Sequence, residues 1–211
     1  MSRYILIDLE ETITIHNYKN RLENVMLRWL ENNKVKNYEE IYNNKNFKDR
    51  KDRLKLLNIS IDKYKEWYEN FNLIEHKTYL EKYKENKILI NDDTLKFIKE
   101  CKLPLILVSN SSPIWINYIL GEYKVKNYFK YIFYRTYKID DAKKPNPEVI
   151  KIIENDINDK IDNNSIVIGD SIDDYSFAKN CNLIFISMFN KFEDNIMFNN
   201  FNDLLKYINK I

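Results

Sequence analysis

Residues 4–12, YILIDLEET, contain the first predicted strand and the acids that follow it, and they guide the interpretation of the other segments. The first half of this stretch is a short apolar run that ends in acids, which is typical of a strand buried on both faces. Similar apolar runs follow at residues 103–109, 131–134, 165–168 and 183–187. Helical patterns separate the later runs, and strands that alternate with helices predict an α/β domain built on a parallel sheet.

Two of the predicted helices carry recognisable start signals. Ser112 stands before Pro113, and Asn146 stands before Pro147, which predicts an N-cap followed by a proline in the first turn. Gly121 is expected to end the first of these helices. The predicted helices cover residues 92–102, 113–120, 147–154, 173–180 and 202–208.

Residues 16–88 interrupt the alternation, because they show helical patterns and no convincing strand. These patterns lie at residues 22–30, 61–71 and 73–84. Residues 14–90 contain 17 basic and 12 acidic residues, a net charge of +5, whereas the remainder has 17 basic and 20 acidic residues, a net charge of −3. We therefore predict a helical domain at residues 16–88, docked on a core formed by residues 1–15 and 89–211.

The composition excludes several classes of protein. Of the 211 residues, 44% are hydrophobic and 14% are aromatic, which supports a real core and argues against intrinsic disorder. No apolar run approaches the roughly 20 residues of a membrane span, and the first ten residues do not form a signal peptide. Cys101 and Cys181 fit neither a disulfide framework nor a metal site, so we expect two buried thiols and a reducing, cytoplasmic location.

The charged segment at residues 45–55 has two interpretations. It forms either a basic surface that attracts polyanions or a solvated helix face, and the second interpretation is favoured. The net charge of the whole chain is only +2, which does not indicate a nucleic-acid-binding protein. The segment spans residues 45–55 and contains Lys45, Lys48, Arg50, Lys51, Arg53 and Lys55.

Polar residues follow the predicted strands at the edge where parallel sheets bind their ligands. Acids follow two strands, hydroxyl and amide groups follow another, and a lysine lies in a loop before a helix. Carboxylates that share one small space repel each other unless a cation joins them. A set of oxygen donors without histidine or cysteine favours a hard ion, and best Mg²⁺. These residues are Asp8, Glu10, Glu11, Thr12, Ser109, Asn110, Ser111, Ser112, Lys144, Asp170, Asp173 and Asp174.

Two rare residue types carry further information. The chain has only two glycines, and Gly169 directly follows the fourth predicted strand. A glycine at that place indicates a tight turn with a close backbone approach. The three tryptophans, Trp29, Trp67 and Trp115, are interpreted as core residues.

Four segments resemble, in order and in position, the motifs of the haloacid dehalogenase-like superfamily. They are DLEET at residues 8–12, LILVSN at 105–110, KPNP at 144–147 and IVIGDSIDD at 166–174. Each motif alone is weak, but all four in this order are specific, and the resemblance covers residues 4–187. It implies an α/β fold with a Rossmann-like parallel sheet, and the inserted α-helical block resembles the type I cap of that superfamily.

The resemblance implies catalytic roles for three residues. Asp8 would be the nucleophile that forms an aspartyl-phosphate. Glu10 would be the general acid and base, at a position where the superfamily usually has aspartate. Lys144 would hold Asp8 and the phosphate and offset their negative charge.

The other matching residues would bind phosphate and metal. Ser109 would donate a hydrogen bond to the phosphoryl group with Asn110 beside it, and Thr12 would shape the neighbouring loop. The metal would be Mg²⁺, bound directly by the carboxylates of Asp8 and Asp170 and by the backbone carbonyl of Glu10. Asp174 would bind it through water or support the site, and Asp173 is the less favoured alternative to Asp174.

These roles together imply a Mg²⁺-dependent phosphohydrolase that acts on a small phosphomonoester, either a sugar phosphate or a nucleotide. Two alternatives stay open at this point. One is a non-catalytic or weakly active binding protein, which the substitution at Glu10 supports, and the other is a phosphomutase built on the same motifs. The sequence indicates a small phosphorylated substrate and no membrane or nucleic-acid partner, and it leaves the oligomeric state open.

Overall fold

The computed structural model describes residues 2–16, 30–38, 54–66, 88–135, 142–192 and 195–211. The chain divides into two units, of which the first comprises Met1–Ile15, Ile88–Arg135 and Ala142–Ile211, and the second His16–Lys87 and Thr136–Asp141. The helical pattern predicted at residues 22–30 except Leu30, all of the pattern at 73–84, and residues 45–53 of the basic segment lie outside the described residues. The helical cap at residues 16–88 therefore stays a prediction.

The first unit is built on a parallel sheet. The described strands are β1 (Ile5–Ile7), β2 (Ile15–His16), β3 (Ile88–Leu89), β4 (Leu105–Ser109), β5 (Phe129–Tyr134), β6 (Ile166–Gly169), β7 (Ile184–Met188) and β8 (Ile196–Phe198). Strands β2 and β3 form a sheet of their own, and the other six form one sheet in the order β5-β4-β1-β6-β7-β8. All neighbours in the larger sheet are parallel, which confirms the predicted α/β fold.

The burial of the strands explains which of them the sequence predicts. Every residue of β1, β4 and β6 is buried, as expected for strands covered on both faces. The two-residue strands β2 and β3 include His16 and Ile88 of the block predicted to contain no strand, and strand β8 likewise has no counterpart among the predicted strands. It has three residues, and Ile196 and Met197 are exposed, so it carries no buried apolar run that a sequence pattern would show.

The described part of the first unit contains five helices and one 3₁₀ turn, and helix α1 (Ile61–Glu66) belongs to the second unit. The helices of the first unit are α2 (Asp92–Glu100), α3 (Pro113–Glu122), α4 (Glu148–Ile157), α5 (Ile172–Asn180) and α6 (Phe201–Ile208), and the 3₁₀ turn is Lys126–Tyr128. No helix among the described residues is long and apolar enough to cross a membrane.

The helix ends confirm one predicted helix start, correct a second helix start by one residue and contradict one predicted helix end. Ser112 is the N-cap of α3, and its side chain accepts a hydrogen bond from the backbone N–H of Trp115. Helix α4 begins one residue later than predicted, so that Pro147 is itself the N-cap. The prediction that Gly121 ends α3 is wrong, because the helix continues to Glu122 and Lys124 takes the left-handed conformation (φ 55°).

Apolar packing against the sheet fixes the helices that flank the site. Helices α4 and α5 contribute Val149 and Phe177 to one cluster with Leu6, Val108 and Val167 of three strands. Helices α2 and α6 pack against each other, with the ring centroids of Phe97 and Phe201 5.1 Å apart. Each fully buried side chain of this size contributes roughly 1.5–3 kcal/mol to folding.

The two cysteines are half-buried thiols, so the prediction of full burial is wrong. Each is the C-cap residue of a helix, Cys101 for α2 and Cys181 for α5, where the chain leaves the core. Burial raises the pKa of the Cys181 thiol to about 12, which keeps it protonated and chemically inert near neutral pH.

Candidate active site

The order of the strands places two acids side by side. Strands β1 and β6 are neighbours, with Ile7 in register with Ile168, and the strand order reverses between them. Asp8 follows β1, and its backbone N–H donates to the carbonyl of Ile168 over 2.9 Å. Asp170 follows β6. The crevice beyond the strand ends at such a reversal is where open α/β sheets bind ligands.

A buried lysine joins two of the predicted site acids. Lys144 Nζ lies 2.5 Å from Oδ1 of Asp8 and 2.5 Å from Oδ1 of Asp174. The three residues, called here the Lys144 cluster, are 3%, 8% and 1% exposed for Lys144, Asp8 and Asp174. Burial lowers the pKa of Lys144, but the charges of the two carboxylates outweigh it and the net pKa is raised. The lysine is therefore a permanent cation.

Asn110 holds the backbone of the lysine loop. Its Nδ2 donates to the carbonyl of Lys144 over 3.1 Å, and its Oδ1 accepts from the Lys144 N–H over 3.0 Å. Both ends of the amide are thus engaged with one residue that lies 34 positions away in the chain. Asn110 therefore positions the backbone of Lys144. A contact between Asn110 and phosphate stays a prediction.

Asp170 is held through its side chain and through its backbone. The hydroxyl of Thr12, a residue 1% exposed, donates to Oδ1 of Asp170 over 2.8 Å. Asn190, which follows β7, donates from Nδ2 to the Asp170 carbonyl over 2.8 Å. Thr12 therefore orients one of the predicted metal ligands, and its predicted part in binding phosphate stays a prediction.

Asp174 occupies the space that a side chain at position 169 would need. Its Oδ2 accepts from the backbone N–H of Ser171 over 3.1 Å and from the Ser171 hydroxyl over 2.5 Å, which forms a capping box at the start of α5. A Cβ atom on Gly169 would lie 2.3 Å from Cγ of Asp174. The close approach predicted at Gly169 is confirmed, and the approaching group is a side chain. The alternative ligand, Asp173, is exposed.

Three carboxylates converge closely enough to share one metal ion. Asp8, Asp170 and Asp174 each offer an oxygen, and the three oxygens lie within 4.8 Å of one another. Burial raises the pKa of Asp8, against the opposing charge of Lys144, and burial raises the pKa of Asp170 to about 6. Lys144 supplies one positive charge against three carboxylates. This buried, all-oxygen donor set fits a hard divalent cation such as Mg²⁺.

Glu10 lies in a separate hydrogen-bond arrangement. Its Oε1 accepts from the Ser111 hydroxyl over 2.9 Å and from the Trp115 indole N–H over 3.0 Å. Ser111 and Trp115 are called here the Glu10 clamp. The neighbouring Glu11 is exposed and left-handed (φ 59°). The carboxylate of Glu10 does not belong to the metal cluster of the described residues, and metal binding by its backbone carbonyl stays a prediction.

No pattern in the sequence indicates the contacts of Ser111 and Trp115 with Glu10. Trp115 is a core residue as predicted, with 1% exposure, but its indole N–H reaches Glu10 across 105 positions of the chain. The available signal is that a buried indole N–H needs an acceptor. Ser109, the last residue of β4, is 1% exposed, and its Oγ accepts from the backbone N–H of Ser111 over 3.0 Å.

Several solved structures share the fold over nearly the whole chain. A predicted phosphatase from Clostridium acetobutylicum has 18% identity and a TM-score of 0.63, with 100% of both chains covered. YfnB from Bacillus subtilis, bound to magnesium, has 17% identity and a TM-score of 0.61 over 99% of both chains. CbbY from Rhodobacter sphaeroides, in complex with phosphate, has 15% identity and a TM-score of 0.59 over 97% of this chain and 96% of that chain. Similarity at these identities establishes the fold alone.

Sequence comparison adds the family. Comparison with curated proteins gives no match. The sequence model of the haloacid dehalogenase-like hydrolases, however, matches residues 3–182. The match includes β1, β4 and β6 together with the site residues that follow them. The chain therefore belongs to the haloacid dehalogenase-like hydrolase family.

Proposed function

We propose that this hydrolase is a Mg²⁺-dependent phosphatase that forms an aspartyl-phosphate on Asp8. The observation that supports the proposal most directly is the Lys144 cluster. Its lysine contacts two carboxylates over 2.5 Å each, and an oxygen of Asp170 lies within 4.8 Å of the acids. Fixed charges of both signs at one buried point suit a reaction that transfers a phosphoryl group.

In the first step, Oδ2 of Asp8 attacks phosphorus, and the bond from phosphorus to the leaving oxygen breaks. Lys144 occupies Oδ1, so that Oδ2 is the oxygen presented for attack. Glu10 donates a proton to the leaving oxygen, and the alcohol departs neutral. The covalent intermediate divides one difficult displacement into two easier ones.

In the second step, a water molecule attacks phosphorus and the bond from phosphorus to Oδ2 breaks. Glu10, which is now a carboxylate, accepts a proton from that water. Inorganic phosphate leaves, Asp8 is restored as a carboxylate, and Glu10 is ready to act as an acid again. One residue therefore serves as acid and then as base, at the same place in the site.

Other residues bind the phosphoryl group and the metal. Ser109 already accepts the Ser111 N–H at its Oγ, so its own hydroxyl proton points away from that bond and donates to a phosphoryl oxygen. The carboxylates of Asp8, Asp170 and Asp174 would hold Mg²⁺. When bound, Mg²⁺ supplies positive charge that offsets the repulsion between these carboxylates and the phosphoryl group.

The proposed substrate is a small sugar phosphate or nucleotide. Fold neighbours that include a predicted phosphatase and a complex with phosphate support a phosphorylated ligand. Residues 14–90 carry a net charge of +5, which favours an anionic substrate. We assign residues 16–88 as a cap that excludes water and selects the substrate, in a cytoplasmic enzyme.

A weakly active or non-catalytic binding protein is the second candidate. The observation in its favour is Glu10, because the family usually has the shorter aspartate at this position. A carboxyl group displaced by about 1 Å can slow a reaction roughly 100-fold. The intact Lys144 cluster supports the catalytic candidate over this one, since binding alone does not need the nucleophile and the metal acids together.

Hydrolysis of p-nitrophenyl phosphate with Mg²⁺ and with EDTA separates the candidates. The phosphatase proposal expects turnover in Mg²⁺ and none in EDTA. Beryllium fluoride with Mg²⁺ mimics the aspartyl-phosphate and should raise the melting temperature. Stabilisation by beryllium fluoride without turnover of any compound in a panel of phosphorylated metabolites would support the binding protein. Undiminished turnover in EDTA would contradict the metal assignment.

A further inference from the structure

We infer that Ser111 and Trp115 are positioning residues, which fix the place and orientation of the Glu10 carboxylate. The inference rests on the proposed function, in which Glu10 is the acid and base. It concerns two side chains that none of the four motif roles includes. Both donate to the same oxygen, Oε1, over 2.9 Å and 3.0 Å.

The two donors are themselves anchored. The Ser111 N–H donates to Oγ of Ser109, and the Ser111 carbonyl accepts from the N–H of Arg135 over 3.3 Å. The backbone N–H of Trp115 donates to the Ser112 N-cap, and its side chain is 1% exposed. The clamp therefore spans the turn after β4 and the first turn of α3, and its anchored donors can impose a position on Glu10.

The clamp accounts for the longer acid at position 10. A glutamate side chain extends about one methylene, or more than about 1 Å, beyond aspartate, and misplacement on that scale costs roughly 100-fold in rate. The Ser111 and Trp115 donors meet the carboxylate where the glutamate places it. An aspartate on the same backbone would fall short of both donors. The clamp and Glu10 therefore form one matched unit.

The indole contributes a contact of fixed direction. An indole N–H can only donate, so the oxygen that it faces must present a lone pair, and Oε1 is that oxygen in Glu10. The Ser111 hydroxyl donates to the same atom. Two donors on one oxygen thus fix the rotation of the Glu10 carboxyl group.

The kinetic test removes the clamp donors one at a time. Ser111→Ala and Trp115→Phe should each lower kcat about 10- to 100-fold, because each removes a bond to a carboxylate, while KM changes less than threefold. Ser111→Thr keeps the hydroxyl and should restore most of the activity. In a Glu10→Gln background, the same two substitutions should have no further effect. Wild-type kcat in both single variants would overturn the inference.

A second readout does not depend on turnover. The indole N–H signals of protein labelled with ¹⁵N-tryptophan include one from Trp115, which Trp115→Phe identifies by its loss. Glu10→Ala should shift this signal and speed its exchange with solvent, whereas Asp173→Asn, at an exposed acid, should not. An unmoved signal would overturn the inference. If the signal responds but no phosphomonoester is hydrolysed, the positioning contact stands and the proposed function fails.

Discussion

The two ends of the site hold their carboxylates by different means. In the Lys144 cluster the contacts are ionic, at 2.5 Å, and every member is nearly or fully buried. The Glu10 clamp uses two donors that are electrically neutral, and Glu10 itself is only partly buried. One end fixes charge and the other fixes position.

The difference matches what each end is proposed to do. The charge of Lys144 opposes the rise in the pKa of Asp8 that burial causes, and it therefore favours the carboxylate form that a nucleophile or a metal ligand needs. Neutral donors can hold a carboxylate in place without adding a positive charge that opposes its protonation. That property suits Glu10, which must give and take a proton within one turnover.

The largest expected effect comes from removing the nucleophile at the ionic end. Asp8→Asn keeps the shape of the side chain but takes away the attacking charge, and turnover should fall on the order of 10⁴-fold or more. Initial rates with Mg²⁺ would measure it. Asp173→Asn, at an exposed acid in the first turn of α5, is the control and should stay near the wild-type rate. Near-normal turnover of Asp8→Asn would exclude covalent catalysis at this residue.

Removing the cation should cost stability as well as activity. Lys144→Met leaves two buried carboxylates without their partner, and the free energy of unfolding should fall by about 3–5 kcal/mol. Urea unfolding in EDTA at pH 8 measures it. The matched control is Lys151→Met, because Lys151 pairs with Glu148 at the surface, with side chains 70% and 51% exposed. The control should leave the stability close to that of the wild type, and similar losses in both variants would refute a buried ion cluster.

A smaller effect is expected at the neutral end, where Glu10→Asp tests the match between the acid and its clamp. The shorter side chain should lower kcat roughly 100-fold. Glu10→Gln should remove most of the remaining activity, because an amide can neither donate the proton nor accept it from water. Steady-state rates of the three proteins decide the matter. Equal rates would show that Glu10 takes no part in the chemistry, and a faster Glu10→Asp variant would indicate a detuned site.

The smallest effect concerns a residue that supports a metal ligand. Thr12→Val removes the hydroxyl that donates to Asp170, and the affinity for Mg²⁺ should fall about 10-fold, as is typical for partners of metal ligands. Calorimetric titration with Mg²⁺ measures it. The matched control is Thr94→Val, which makes the same change at another buried threonine. The Thr94 hydroxyl donates to Asn91, the N-cap residue of α2, and its loss should leave the affinity for Mg²⁺ unchanged. Equal affinity in the Thr12 variant would remove this residue from the metal site.

The sequence predicts the acids of the site because strand ends are local features. Asp8 and Asp170 each follow a run of buried apolar residues, and the geometry of a parallel sheet then brings those ends together. Gly169 is predictable for a similar reason, since a rare residue at a strand end indicates a steric demand. Strand β8 escapes prediction because it is short and exposed.

Side-chain hydrogen bonds between distant residues have no such local pattern. The bond from Trp115 to Glu10 spans 105 positions, and a buried tryptophan at helix spacing is typical of an ordinary core residue. The amide of Asn110 is a similar case, because its partner is the backbone of Lys144, and a backbone contact is independent of the partner's side chain. Which acceptor a buried donor meets is decided only by the tertiary packing.

The Lys144 cluster also has a consequence for how the protein is made. Asp8 and Lys144 are 136 positions apart, and Asp174 follows 30 positions later. At 5–20 residues per second, a ribosome needs roughly 7–27 s to proceed from the first of these residues to the second. A nascent chain therefore carries Asp8 for that long without the cation that holds it. The Lys144 cluster is complete only when Asp174, 30 positions beyond Lys144, has also been synthesised.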